Sequence, residues 1–250
     1  MVRDLASDVA AGIRLEAVRL QRGSTTVFDG LHLHWTEPRI GLIGDNGAGK
    51  SSLFRLICAL DAPQAGSVTV QGRNLHTAPA PGLVGMMFQN PDDQIIFPTV
   101  EEELALGLQP QGLSRRDAQA QARQFLARRG LEAWASRAIS SLSQGQRQHV
   151  CWLALLIAAP QVLLLDEPFA SLDLPGQALL DADIAAAAQQ VIVSTHILSH
   201  VRSFARVIWL EQGRVRMDGA GTEVCAAYEA DVAARMAVKA LHIAGQGSHG

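Results

Sequence analysis

The chain has 250 residues, of which 48% are hydrophobic, and a formal net charge of −3. That length suits one large α/β domain carrying a subdomain, the apolar share supplies a core, and the slightly acidic balance speaks against nucleic acid as the main partner. Three widely spaced cysteines, Cys58, Cys151 and Cys225, fit neither a disulfide framework nor a zinc site, but suit reduced, buried thiols in the cytoplasm. The apolar run from Val150 to Ala159 stops at Pro160, short of the ~20 residues that cross a bilayer. Residues Met1 to Asp8 carry acids and no apolar signal core, so the expectation is a soluble chain that reaches a membrane only through a partner.

Residues 13 to 35 alternate apolar and polar and predict antiparallel strands turning at Arg22-Gly23-Ser24. His32 and His34 fall on one strand face, which reads as a solvated face ahead of a metal pair. Arg39 to Ile43 predicts a short buried strand, and Ser52 to Ile57 the first turns of an amphipathic helix. Val68 to Gly72 and Val84 to Phe88 are further strands around the loop Ala78 to Gly82. Ser114 with Asp117 caps a helix running to about Arg129 and stopped by Gly130. Val162 to Leu165 and Val191 to Thr195 are continuous apolar runs, as parallel strands covered on both faces require. An Ala-rich helix is expected between them, from about Gln177 to Gln190. Val207 to Leu210 and Arg214 to Met217 make a hairpin. A helical tail beyond Thr222 is expected to lose order from Gly245 to Gly250.

The chemistry is concentrated in a few segments. Gly44-Asp45-Asn46-Gly47-Ala48-Gly49-Lys50-Ser51, with Ser52 after it, joins a strand to a helix N-terminus. Such a turn gathers backbone N–H groups around one point, where the helix dipole adds to their field. Lys50 can then reach the β- and γ-phosphates of a nucleotide, and the Ser51 hydroxyl can ligate Mg²⁺. Asp166 and Glu167 end a buried strand at the edge where α/β sheets hold ligands. Asp166 is placed to hold Mg²⁺ and Glu167 to orient or deprotonate an attacking water. Alone, the pair also fits a strand-end cap. Ser143 and Gly145, ahead of the apolar helix His149 to Ala158, form either a second anion site or a plain helix cap.

Leu142-Ser143-Gln144-Gly145-Gln146 resembles the signature motif of ATP-binding-cassette (ABC) ATPases, and the other motifs follow in that family's order. Gly44 to Ser51 resembles its Walker A, Gln89 its Q-loop, Leu163 to Glu167 its Walker B with the catalytic glutamate, Ser171-Leu172-Asp173 its D-loop, and His196 its switch histidine. The resemblance implies an α/β P-loop NTPase fold over residues 13–228. Its RecA-like core with an antiparallel β-subdomain would occupy 13–88 and 156–228, its helical subdomain 90–155, and a tail 229–250. It implies an ATPase using ATP and Mg²⁺, with Gln89 sensing the γ-phosphate and the metal, and His196 contacting the γ-phosphate. It also implies a dimer, a homodimer by expectation, in which Ser143 and Gly145 meet the ATP held by the other copy and Asp173 couples the two sites. Gln144 stands where glycine is usual. Arg22 stands where an aromatic residue often stacks on adenine; a guanidinium plane can stack on a base.

Phe88 to Glu103 resembles the Q-loop region of energy-coupling-factor importers, where Asn-Pro-Asp-x-Gln recurs. That resemblance implies docking of an integral membrane coupling protein on Asp92 and Asp93, with the run Glu101 to Glu103 also a candidate, and a separate substrate-binding membrane subunit. The chain would then work at the cytoplasmic face of the membrane. Thr36 to Gly44 and Gln212 to Gly219 are most similar to the ATPases of biotin importers, with cobalt and nickel importers as the alternative and a non-transport ABC ATPase behind both. ATPases of this group do not touch the cargo, so their chemistry does not name it.

Overall fold

A computed structural model describes residues 12–109 and 112–246, with side chains described through residue 239. The predicted N-terminal hairpin is present as β1 (Ile13–Arg22) and β2 (Thr25–Trp35), and β4 (Ala65–Val70) pairs with the other edge of β1, giving an antiparallel sheet in the order β2-β1-β4. His32 and His34 lie on its exposed face.

The second sheet carries the order β5-β6-β7-β3-β8-β9, formed by β3 (Arg39–Ile43), β5 (Val84–Met87), β6 (Val162–Asp166), β7 (Gln190–Ser194), β8 (Arg206–Glu211) and β9 (Arg214–Gly219). All neighbours are parallel except the β8–β9 hairpin. The continuous apolar runs have a direct cause. Leu164 of β6, Ile192 of β7 and Ile208 of β8 enter one buried cluster with β1, β2 and helix α1 (Lys50–Ile57). Their neighbours Leu163, Leu165, Val191, Val193 and Val207 enter a second cluster on the opposite face. Alternate residues serve two cores, so the middle of each strand is apolar throughout and polar residues stand only at the ends. Each fully buried Leu, Ile or Val contributes about 1.5–3 kcal/mol through water exclusion.

A third cluster belongs to the helical region. It joins α2 (Val100–Leu106), α3 (Arg115–Ala127) and, through Val150 and Leu153, α4 (Gln144–Ala158). Ser114 accepts from the Asp117 N–H, and Phe125 and Leu126 are buried, as the sequence pattern requires. The last two helices are α5 (Leu174–Ala186) and α6 (Gly221–Gln246). The predicted Gln177–Gln190 helix is corrected at both ends. Asp173 caps the start by accepting from the Gly176 N–H, with Pro175 in the first turn, and Gln190 already belongs to β7. Helix α6 crosses residue 228 without a break and contains Gly245, so the expected loss of order does not begin there; residues 247–250 lie outside the described residues.

Arg206 fastens the two sheets together. Its guanidinium donates to the His34 carbonyl and Glu37 on one side and to Asp218 on the other. Cys151 and Cys225 are buried free thiols and Cys58 is partly buried; burial pushes the Cys58 and Cys151 thiols up to about 12, keeping them protonated and unreactive.

Candidate active site

The strand order brings the predicted site residues to one edge. β7 lies between β6 and β3, and β5 flanks β6. The segments leaving the carboxyl ends of these strands are the glycine loop after β3, Glu167 after β6, His196 after β7 and Gln89 after β5. All four border one cavity of ≈650 Å³, whose walls include Gly44 to Gly47, Lys50, Ser51, Ser52, Asp166 and Tyr228. This is the crevice that open α/β sheets offer to ligands.

The loop requires its glycines. At Gly44, φ is +145° and an added Cβ would lie 2.1 Å from the Leu210 carbonyl oxygen; at Gly49, φ is +108° and a Cβ would meet Phe28 at 2.9 Å. No larger residue could hold the backbone this close to β8 and β2. Helix α1 begins at Lys50, so its free N–H groups face the cavity. The Lys50 ammonium donates to the Gly44 carbonyl at 2.7 Å and the Asp45 carbonyl at 3.2 Å. Burial lowers its pKa, while Glu167, Asp166 and Asp45 act in the opposite sense. Such an amine is readily handed to an anionic ligand.

Glu167 adopts φ +49°, a left-handed conformation that a glutamate rarely takes. Its N–H donates to the Ser194 carbonyl at 2.8 Å, tying it to β7. Its carboxylate Oε2 accepts from the His196 N–H at 3.2 Å and lies 2.7 Å from His196 Nδ1. The Glu167 side chain is 9% exposed and that of His196 63% exposed. The acid is thus held at the cavity floor while the imidazole stands at the mouth. Backbone strain costing about 1–3 kcal/mol is the sort that persists where geometry serves chemistry.

The signature segment is built differently. Ser143 caps α4, accepting from the Gln146 N–H at 3.2 Å, while the Gln146 side chain accepts from the Ser143 N–H at 3.1 Å. Leu142 is buried in the helical cluster, so it anchors the turn. Ser143 and Gln144 are exposed. Leu142 to Gln146 are absent from the walls of the phosphate cavity; Ser143 to Gln146 line a separate hollow with Ser171, Leu172 and Asp173. A Cβ on Gly145 would stand 3.2 Å from the Ser171 carbonyl oxygen, so the signature turn and the D-loop pack directly together. Leu174, just after the D-loop, is 80% exposed.

In the loop that carries Gln89, Glu103 accepts from the Ile96 and Phe97 N–H groups at 2.9 and 2.8 Å. Asp92 pairs with Arg147 of α4 at 3.1 Å, yet its side chain remains 57% exposed. The acidic run is corrected: Glu101 and Glu102 are taken up by Arg123 and Arg115, and Glu103 is internal, so these glutamates hold the helices together. Sequence reasoning missed Ile96, which stands at 73% exposure with its N–H held by Glu103, shortly after Asp92 and Asp93 in the chain. It also missed Tyr228 in the phosphate cavity. Arg22 is paired with Asp61 and is not among the residues bordering that cavity, so the guanidinium stack on adenine is not supported.

The profile described as ABC transporter matches residues 33–170. The chain is 48% identical over 213 residues to the biotin transport ATP-binding protein BioM of Rhodobacter capsulatus, covering 84% of this chain and 91% of that protein. It is 38% identical over 219 residues to BioM of Rhizobium etli, covering 86% and 97%. It is 35% identical over 218 residues to the energy-coupling factor transporter ATP-binding protein EcfA of Methanoculleus marisnigri, covering 84% and 79%. Among solved structures it is similar to cbiO1 from Clostridium perfringens, part of the ABC transporter complex cbiONQ, with a TM-score of 0.73 and 24% identity over 87% of this chain and 92% of that chain. That last likeness concerns the fold.

Proposed function

This chain belongs to the ABC transporter family of ATP-binding proteins, and on that premise we propose that it is the ATP-hydrolysing subunit of an energy-coupling-factor importer whose cargo is biotin. The chain is an ATPase coupled to transport. The observation that carries the residue-level reading is the convergence of Lys50, Ser51, Gln89, Asp166, Glu167 and His196 on one cavity.

In this reading the Gly44–Ser52 loop receives the triphosphate. Its N–H groups and the α1 N-terminus bind phosphate oxygens, and Lys50 exchanges two loop carbonyls for the β- and γ-phosphates. Ser51, Gln89 and Asp166 offer oxygen donors alone, the set that a hard Mg²⁺ takes. When bound, that ion would supply charge neutralisation to the β- and γ-oxygens. Glu167 accepts a proton from the attacking water as its oxygen bonds to the γ-phosphorus and the bond to ADP breaks. His196, bridging Glu167 and the cavity mouth, orients the carboxylate and contacts the γ-phosphate.

One chain supplies half of this machinery. The signature turn leaves Ser143 and Gln144 exposed, and Leu174, just after the D-loop it packs against, is exposed too, which supports a second copy placing its Ser143 and Gly145 over the first copy's nucleotide. Asp92, Asp93 and Ile96 form the surface for an integral membrane partner: two acids for its basic residues and one apolar contact. Among the described residues no helix is long and apolar enough to cross a membrane; the chain meets the cytoplasmic membrane face through that partner, which works with a substrate-binding membrane subunit.

Biotin rests on the likeness to two biotin transport ATP-binding proteins. The test is co-expression with a candidate membrane coupling protein and a biotin-binding membrane subunit. ATP-dependent uptake of labelled biotin that Ile96→Asp abolishes, together with loss of co-purification, is the expected result. Assembly with a cobalt- or nickel-binding membrane subunit and no biotin uptake would overturn the cargo. Normal co-purification of Ile96→Asp would move the docking surface elsewhere.

A further inference from the structure

Asp45 is the one acidic residue within the segment Gly44 to Ser52. A carboxylate at this place opposes the polyanion that the loop is read to bind, because like charges a few ångströms apart repel. The chain answers it from the far end of the sequence. The Tyr228 hydroxyl donates to Asp45 Oδ1 at 2.7 Å, and Arg235 donates to Asp45 Oδ2 at 2.6 Å and to Oδ1 at 3.3 Å. Both belong to α6.

Neither contact is left free to drift. Arg235 Nε lies 2.7 Å from Asp231 Oδ2, and Asp231 Oδ1 accepts from Arg216 of β9 at 2.7 Å. Arg216 also donates to Glu211 and lies 4.2 Å over the Trp209 ring, which meets the Tyr228 ring edge-on at 5.2 Å. The chain of contacts thus runs from β8 and β9 through α6 to the loop. Tyr228 itself borders the phosphate cavity. The Asp45 carboxyl is held below the usual range, first by Arg235 and then by Tyr228.

We propose that α6 is part of the nucleotide site: Arg235 cancels the charge of Asp45 and Tyr228 fixes its direction, so that the phosphate loop accepts ATP. Arg235 and Tyr228 are positioning residues that act through Asp45. The inference rests on Gly44 to Ser52 being the triphosphate cradle, and the experiment separates the two. An exposed ion pair contributes little to stability, and Arg235 and Asp45 are 47% and 48% exposed. Effects of the pair on binding can therefore be read apart from unfolding.

The test measures the dissociation constant of a non-hydrolysable ATP analogue with Mg²⁺ on the full chain by calorimetry, with the thermal midpoint as a fold control. Lys50→Ala is the reference, and its loss of binding establishes the cradle. Arg235→Gln is expected to weaken binding about 3- to 10-fold, and less at high salt, where the uncancelled carboxylate is screened. In steady state the change falls chiefly on KM for ATP. Adding Asp45→Asn to Arg235→Gln is expected to restore most of the affinity, because the charge that Arg235 answered is gone. A merely structural strap would show no such rescue. Wild-type affinity in Arg235→Gln, or a defect that Asp45→Asn does not relieve, overturns the proposal while leaving the cradle intact. Full binding by Lys50→Ala overturns the cradle itself.

Discussion

The phosphate loop and the signature turn are both glycine-containing turns at helix N-termini, yet the molecule treats them in opposite ways. The loop is walled by its own chain: Gly44 is pressed against Leu210, Gly49 against Phe28, and Lys50 is buried and hydrogen-bonded. The signature turn satisfies itself through a reciprocal cap and leaves Ser143 and Gln144 exposed. In the proposed dimer the first is the site and the second is the lid. The difference teaches that a helix N-terminus becomes a binding site only when other elements wall it in; in the proposed dimer the second wall comes from another copy.

The sharpest way to break that comparison is to damage each turn in a different copy. Lys50→Ala and Gly145→Asp are each expected to abolish ATP hydrolysis. An equimolar mixture is expected to recover a measurable fraction, because one mixed dimer carries one intact composite site. Phosphate release that stays at background in the mixture, with both variants folded and mixed dimers formed, would end the shared-site reading. Next in size is Glu167→Gln, expected to keep ATP affinity and lose about 10²–10⁴-fold in turnover, the scale of a positioned base. Near-normal turnover would remove Glu167 from that role.

The smallest effect concerns the loop's third wall. Tyr228 is the sole tyrosine of the chain, so tyrosinate absorbance reports on it directly. Burial, and after it the Asp45 carboxylate, pushes its phenol up to about 12. A raised phenol contributes stability that is whole below the ordinary tyrosine value of ~10 and is lost as pH rises through the folded value. Asp45→Asn removes one negative neighbour and is expected to bring the absorbance midpoint down. An unmoved midpoint would mean that the hydrogen bond is not formed in solution.

Much of this was legible in the sequence for local reasons. The loop from Gly44 to Ser51 and the cap at Ser143 are contiguous patterns, and the buried strand ending in Asp166 announces itself through an unbroken apolar run. The chemistry of Glu167 and His196 was legible only through their order among other motifs, since a strand-end acid and a lone histidine have plainer explanations. What escaped were contacts that close over long spans. Tyr228 reaches Asp45 across 183 positions, and no periodicity foretells it. Glu101 to Glu103 read as a surface because acids usually are one; only the fold shows Arg115 and Arg123 arriving beside two of them and the Ile96 and Phe97 amides turning onto the third.

Arg206 has a mechanical consequence. One guanidinium rivets the antiparallel sheet to the parallel one by clasping the His34 carbonyl and Glu37 across the seam and Asp218 in its own sheet. The two sheets are therefore coupled as one plate: the antiparallel sheet cannot slide against the β8–β9 hairpin without breaking these bonds.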